Sequence, residues 1–166
     1  MKVLSIDPPV AWAWMSEREV FAHGRIPIGK GITAAWVDRW IDVVNEHHAD
    51  AVGIEAVKRH KYGDDAPYIR DAKADGAIVL ARRAGIIEGV CRCYHQMGVP
   101  IEIVETGDWR ATSGLKESWG RDRLKAASVA LVKQLYKLDV SHDEADAILI
   151  GRHLAIDIPA RERGRR

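Results

Sequence analysis

A chain of 166 residues falls within the range of one compact domain, long enough to bury a substantial core around a sheet. Hydrophobic residues make up 47% of it and charged residues 30%, with 14 Gly and 6 Pro scattered along the chain, which argues against a long disordered segment or a repeat array. The 25 Lys plus Arg nearly cancel the 24 Asp plus Glu, so the formal charge of +1 does not by itself identify a nucleic-acid partner.

Residues 2–6 form a short apolar strand that ends at Asp7. Residues 10–15 and 18–23 supply two further antiparallel strands connected near Ser16-Glu17, and Gly24 to Gly31 reads as a turn and loop. Thr33 is placed to cap a helix whose Trp36, Val37, Trp40, Ile41, Val43 and Val44 make one broad apolar face. Ala51-Val52-Gly53-Ile54 follows as a buried strand that delivers Glu55 at its end. Gly63, Pro67 and many polar residues mark 56–74 as a surface loop.

The spacing of Ala77, Leu80, Ala81, Ala84 and Ile87 predicts a long helix over 75–97. Residues 100–104 make the next strand, followed by a polar connection containing Trp109, Gly114 and Trp119. Leu124, Ala127, Val129, Val132 and Leu135 support a helix over 121–136, and a last helix runs from about Ser141 to Ile156. Its start carries a capping box, with Ser141 at the N-cap and Glu144 three residues on. Strands followed by intervening helices outline an α/β sandwich with a central mixed β-sheet flanked by helices. A dinucleotide-binding fold is disfavoured, since no GxGxxG follows the first strand and the opening strands read as a meander. The domain is drawn over 1–157, leaving 158–166 as a basic C-terminal tail.

Cys91 and Cys93 stand one residue apart in a helical stretch and so point in different directions, which suits reduced core or boundary thiols rather than a disulfide or zinc set. In MKVLSIDPP the acidic Asp7 interrupts the apolar run, and no apolar stretch reaches the length of a membrane span, so a cytoplasmic protein without a membrane partner is the expectation.

The chemistry lies in where the acids fall. Asp7 and Glu55 each follow an apolar strand, while Asp143 and Asp146 lie three residues apart at the start of the last helix. Three helical residues advance the side-chain direction by about 300°, so both aspartates can face one cavity. Taken singly, an Asp or Glu after a strand is more often a turn or cap residue, and two acids near a helix N-terminus can simply complement its dipole. Together, the carboxylates would repel one another unless hard divalent ions turn that repulsion into coordination. Two ions roughly 3.5–4 Å apart suit water attack on a phosphodiester. Basic residues collect in three local patches that could hold phosphates: Lys58-Arg59-His60-Lys61 after Glu55, the stretch from Arg110 to Lys125, and the terminal Arg161, Arg163, Arg165 and Arg166.

VLSIDP at 3–8, VGIEAV at 52–57 and DEADA at 143–147 resemble, in order and approximate separation, the acidic motifs of bacterial and phage RuvC-type Holliday-junction resolvases. The resemblance spans roughly residues 1–156. It implies an RNase H-like fold and a homodimer that makes paired phosphodiester cleavages in a four-way DNA junction. It also implies Mg²⁺, or Mn²⁺, as cofactor, with Asp7, Glu55, Asp143 and Asp146 as catalytic metal-binding residues. Pro9 stands where the family usually has glycine, so the bend into the second strand should differ. Lys125 matches the family's substrate-side lysine better than Lys116 does.

Among supporting groups, Lys58, Arg59, Lys61, Arg110, Lys116, Arg121, Arg123 and Lys125 are candidate phosphate contacts, and Tyr62 is a candidate for stacking on an exposed base. Each also reads as an ordinary solvated side chain, and His60 is taken as a surface histidine. Of the six tryptophans, Trp12, Trp14, Trp36 and Trp40 fall on regular elements as core or interface residues, whereas Trp109 and Trp119 are candidates for a substrate or dimer contact. The competing functions are another RNase H-like nuclease acting on flaps or replication intermediates, and a noncatalytic branched-DNA-binding protein. A branch-migration partner cannot be named from these residues.

Overall fold

The structure, a computed structural model, describes residues 1–27, 31–56, 72–94, 98–116 and 118–164. Strands β1 (Val3–Asp7), β2 (Ala11–Met15) and β3 (Val20–Arg25) lead into helix α1 (Ala34–Glu46) and strand β4 (Ala51–Glu55). Helix α2 (Ala72–Tyr94), strand β5 (Ile101–Val104) and helices α3 (Thr106–Thr112), α4 (Arg121–Tyr136) and α5 (His142–Gly164) complete the order. The five-stranded sheet runs β3-β2-β1-β4-β5. The meander β1-β2-β3 is antiparallel, and β4 and β5 add to β1 in parallel, so the sheet is mixed as its sequence indicates.

Alternation along the strands sorts side chains into two cores. Val3, Ala11, Ala13, Met15 and Ala51 face a core shared with α5, α4 and α3, while Leu4, Ile6, Val52 and Ile54 face one shared with α1 and α2. Trp36, Trp40, Val43 and Val44 of α1 are buried in the second core, with Thr33 capping the helix by accepting the Trp36 amide at 3.2 Å. In the first core α5 buries Ala145, Ala147, Ile148, Leu149, Ile150 and Gly151 in near succession, because it lies between the sheet on one side and α3 and α4 on the other. Full burial of a side chain such as Ile148 or Leu154 stabilises the fold by about 1.5–3 kcal/mol.

Two glycines set how closely α5 approaches the strands. A Cβ on Gly151 would lie 2.6 Å from both Met15 Sδ and Ser5 Oγ, and one on Gly53 would overlap Leu154 Cδ1. Ser5, fully buried, uses that proximity to donate its hydroxyl to the Ala147 carbonyl at 2.7 Å. No helix among the described residues is long and apolar enough to cross a membrane.

Several boundaries differ from the sequence reading. The second strand of the hairpin begins at Val20 and runs through Gly24 to Arg25, since Ser16 and Glu19 close a turn in which the Ser16 amide donates to the Glu19 carbonyl at 2.8 Å. Helix α2 starts at Ala72, inside the stretch read as loop, while residues 57–71 and 95–97 lie outside the described residues. The connection after β5 is not merely polar loop, for it contains α3. Finally, α5 continues past Ile156 to Gly164 despite Pro159, whose missing N–H costs helix stability. Burial of Ile158 and the pairing of Arg161 with Asp157 one turn back and with Glu102 of β5 offset that cost.

Candidate active site

Strand parity and register bring the first two acids together. Asp7 shares a sheet face with Val3 and Ser5, and Glu55 shares the same face with Ala51 and Gly53. Ser5 pairs with Gly53 and Ile6 with Ile54 in the parallel β1/β4 ladder, so the next residues, Asp7 and Glu55, stand side by side at the strand ends, facing α5. From α3 the Trp109 indole Nε1 donates to Glu55 Oε1 at 3.0 Å.

The other two acids come from the first turns of α5, and the capping box that starts it is formed. Ser141 N donates to Glu144 Oε2 at 3.1 Å, and the Glu144 amide approaches Ser141 Oγ at 3.4 Å. Burial tends to push the Glu144 carboxyl up, but hydrogen bonds from Ser141 and from His23 of β3 at 2.9 Å bring it below its ordinary value. Asp143 is tied down as well: its Oδ2 accepts from Arg25 at 2.8 Å and its Oδ1 lies 2.8 Å from His142 Nε2. That same ring nitrogen lies 2.9 Å from Lys125 Nζ, so it accepts from the ammonium in one tautomer or donates to Asp143 in the other.

Electrostatics records the convergence. Burial, followed by the charges of Glu55 and Asp146, pushes Asp7 well above the carboxylate range, with Asp143 adding to the rise. Asp146 is pushed up to about 6, chiefly by burial and then by Glu55 and Asp143, against the opposing pull of the Ser128 hydroxyl and Arg110. Asp146 Oδ1 is buried without a hydrogen-bond partner. An oxygen-only donor set with one unsatisfied buried oxygen is the kind that hard divalent cations take. Among the described residues no three His, Cys, Asp or Glu are drawn together as a coordination group, consistent with Asp143 being held by Arg25 and His142. The acids are therefore neighbours in charge without being closed on one point.

A cavity of about 660 Å³ opens beside them, lined by Arg110, Arg121, Leu124, Lys125, Ser128, His142, Asp143 and Asp146. Arg110, Arg121 and Lys125 of the expected phosphate contacts thus face the late aspartates. Arg110 places its guanidinium 5.2 Å from the Trp109 ring centre, and its Nε is buried without a partner. Arg123 instead stacks on Trp119 at 4.3 Å and Lys116 is exposed, and neither is among the lining residues. Lys58, Arg59, Lys61 and Tyr62, with His60, lie outside the described residues.

Several participants escaped the sequence reading, Arg25 and His23 of β3 among them. Trp109, expected on a substrate or dimer surface, is 1% exposed and serves Glu55 from within. Ser128 is buried on α4 behind Asp146, where its sequence neighbours AASVAL offer no polar signal. His142 precedes the acidic motif and bridges toward Lys125. A search for polar residues interrupting apolar helix faces would have singled out Ser128.

A mixed five-stranded sheet flanked by helices defines this chain as an RNase H-like fold. It superposes on Thermus thermophilus RuvC with a TM-score of 0.66 at 16% identity, over 98% of this chain and 97% of that one. It superposes likewise on T. thermophilus RuvC in complex with a Holliday junction substrate, with a TM-score of 0.64 at 16% identity over 98% and 96% of the two chains. At that identity the likeness is one of fold. No protein-family model and no curated protein sequence matches the chain.

Proposed function

We propose that this chain is a divalent-cation-dependent endonuclease that resolves four-way DNA junctions. The observation that carries the reading is that Asp7, Glu55, Asp143 and Asp146, from two strand ends and a helix start, lie within electrostatic reach of one another, the last two lining a cavity with Arg110, Arg121 and Lys125. Acids and cations in this arrangement suit a phosphodiester better than a neutral substrate, because the basic wall attracts phosphate while the acids demand a counter-charge. The full-length likeness to RuvC, one structure of which holds a Holliday junction substrate, supports the choice of branched DNA.

In this reading Asp7, Glu55, Asp143 and Asp146 hold Mg²⁺, with Mn²⁺ as a substitute. The bound ions, two per site, supply water activation and charge stabilisation in phosphodiester hydrolysis. Arg110 and Lys125 hold phosphate oxygens at the cavity wall, and Arg121 extends that contact along the backbone. Ser128 steadies Asp146 from behind. Two such sites related by the two-fold axis of a homodimer would meet opposed strands of the junction.

The test is a panel of end-labelled duplex, flap, three-way and four-way DNAs, incubated with Mg²⁺ and with chelator. Symmetric paired incisions restricted to the four-way junction and abolished by chelator are expected. Cleavage confined to flaps would favour a replication-intermediate nuclease, and junction binding without any cut would favour a noncatalytic branch-binding protein.

A further inference from the structure

We propose that Trp109 is a positioning residue that fixes Glu55 for divalent-cation binding, an inference that rests on the nuclease reading above. Its indole is 1% exposed, and its Nε1–H points at Glu55 Oε1 across 3.0 Å. Burial alone does not explain that bond: the Nε1 atoms of Trp14, Trp36 and Trp40 are buried with no partner. Trp109 is aimed, and α3 aims it. This short helix is docked on α5, where Thr112 Oγ1 lies 2.8 Å from His153 Nδ1, and it carries the indole under the end of β4.

The choice of an indole has a chemical consequence. Glu55 stands next to Asp7 at the strand ends, and two carboxylates so placed repel one another once both are ionised to hold a cation. A lysine or arginine would hold it in place but would also compete with a metal ion for its charge, as Arg25 does at Asp143. A neutral donor restrains one oxygen and leaves the full negative charge, with most lone pairs, for the cation. Trp109 thereby orders Glu55 without neutralising it.

The experiment measures Mn²⁺ binding by calorimetry in the full chain, its Trp109→Phe variant and an Ile150→Val variant that loosens the same core away from Glu55. Trp109→Phe keeps a buried aromatic and removes the donor together with part of the ring volume, and the Ile150→Val variant controls for lost core packing. Roughly tenfold weaker Mn²⁺ binding is expected, with a raised Mg²⁺ requirement and kcat restored at saturating Mg²⁺, while Ile150→Val binds Mn²⁺ normally. Unchanged affinity in Trp109→Phe, or an equal loss in Ile150→Val, overturns the role. Should Trp109→Phe fail to fold, the Trp109 indole N–H resonance of the unaltered chain decides: it must move on Mg²⁺ addition and in Glu55→Ala, and indifference to both overturns the proposal. If the unaltered chain binds no Mn²⁺, the nuclease reading falls and this inference with it. Intact binding with an unaffected Trp109→Phe removes only the Trp109 role.

Discussion

Asp146 is where burial and charge oppose each other in one side chain. Its carboxyl titrates at about 6 in the folded chain against an ordinary value of 3.8, so the fold prefers the neutral form. That preference is fully present as stability below about pH 4 and is lost as pH rises through about 6, when the buried group must ionise. Asp146→Asn should therefore be more stable to unfolding than the unaltered chain in chelator at pH 8, by at most about 3 kcal/mol and with a higher melting temperature, and the gap should close at pH 4. The same variant should bind junctions yet lose most Mg²⁺-dependent cleavage in single-turnover assays. Parallel melting profiles at both pH values would contradict the buried-charge account, and normal cleavage at low Mg²⁺ would remove Asp146 from the ion's ligands.

Helix α5 supplies half of the acids, and its distance from the sheet determines whether they reach the other half. Gly151→Ala places a methyl 2.6 Å from Met15 Sδ and Ser5 Oγ, and the helix must retreat or those side chains must move. The expected cost is about 1–3 kcal/mol by urea unfolding, with cleavage reduced beyond the loss of folded protein, because the retreat separates Asp146 from Asp7. A variant as stable and active as the original would show that the contact is slack. Much of this element was legible beforehand, since Ser141 and Glu144 announce its start and place Asp143 and Asp146 in its first turns. Its far end was not, because Pro159 reads locally as a stop while Arg161 finds Glu102 through a contact 59 residues distant in sequence. Helix α3 was hidden for a different reason: TGDWRAT has one large apolar residue, too few for a period, and its docking against α5 decides the conformation. Trp109 became a site residue only through that packing, and Ser128 only through the packing of α4 on α5.

At the scale of the molecule, one active site can cut one strand, and resolution needs two. In the proposed dimer, mixed particles made by co-refolding differently tagged unaltered and Asp146→Asn chains should leave a nicked junction, while unaltered dimers release linear duplexes. Linear products from purified mixed dimers would require one site to serve both strands. The placement of Asp143 and Asp146 on a helix enclosed between sheet and helices also bears on how the site is lost. Ile148, Leu149 and Ile150 are fully buried between sheet and helices, so their amides should exchange with solvent deuterium only when the whole domain opens, whereas those of the exposed turn at Arg161–Gly164 should exchange through local fraying. Exchange at Ile148–Ile150 as fast as at the helix end would refute this. The lifetime of the acidic cluster is then the lifetime of the native state: heat or denaturant should extinguish metal binding and the last slow-exchanging amides in a single step, leaving no folded but disarmed species between.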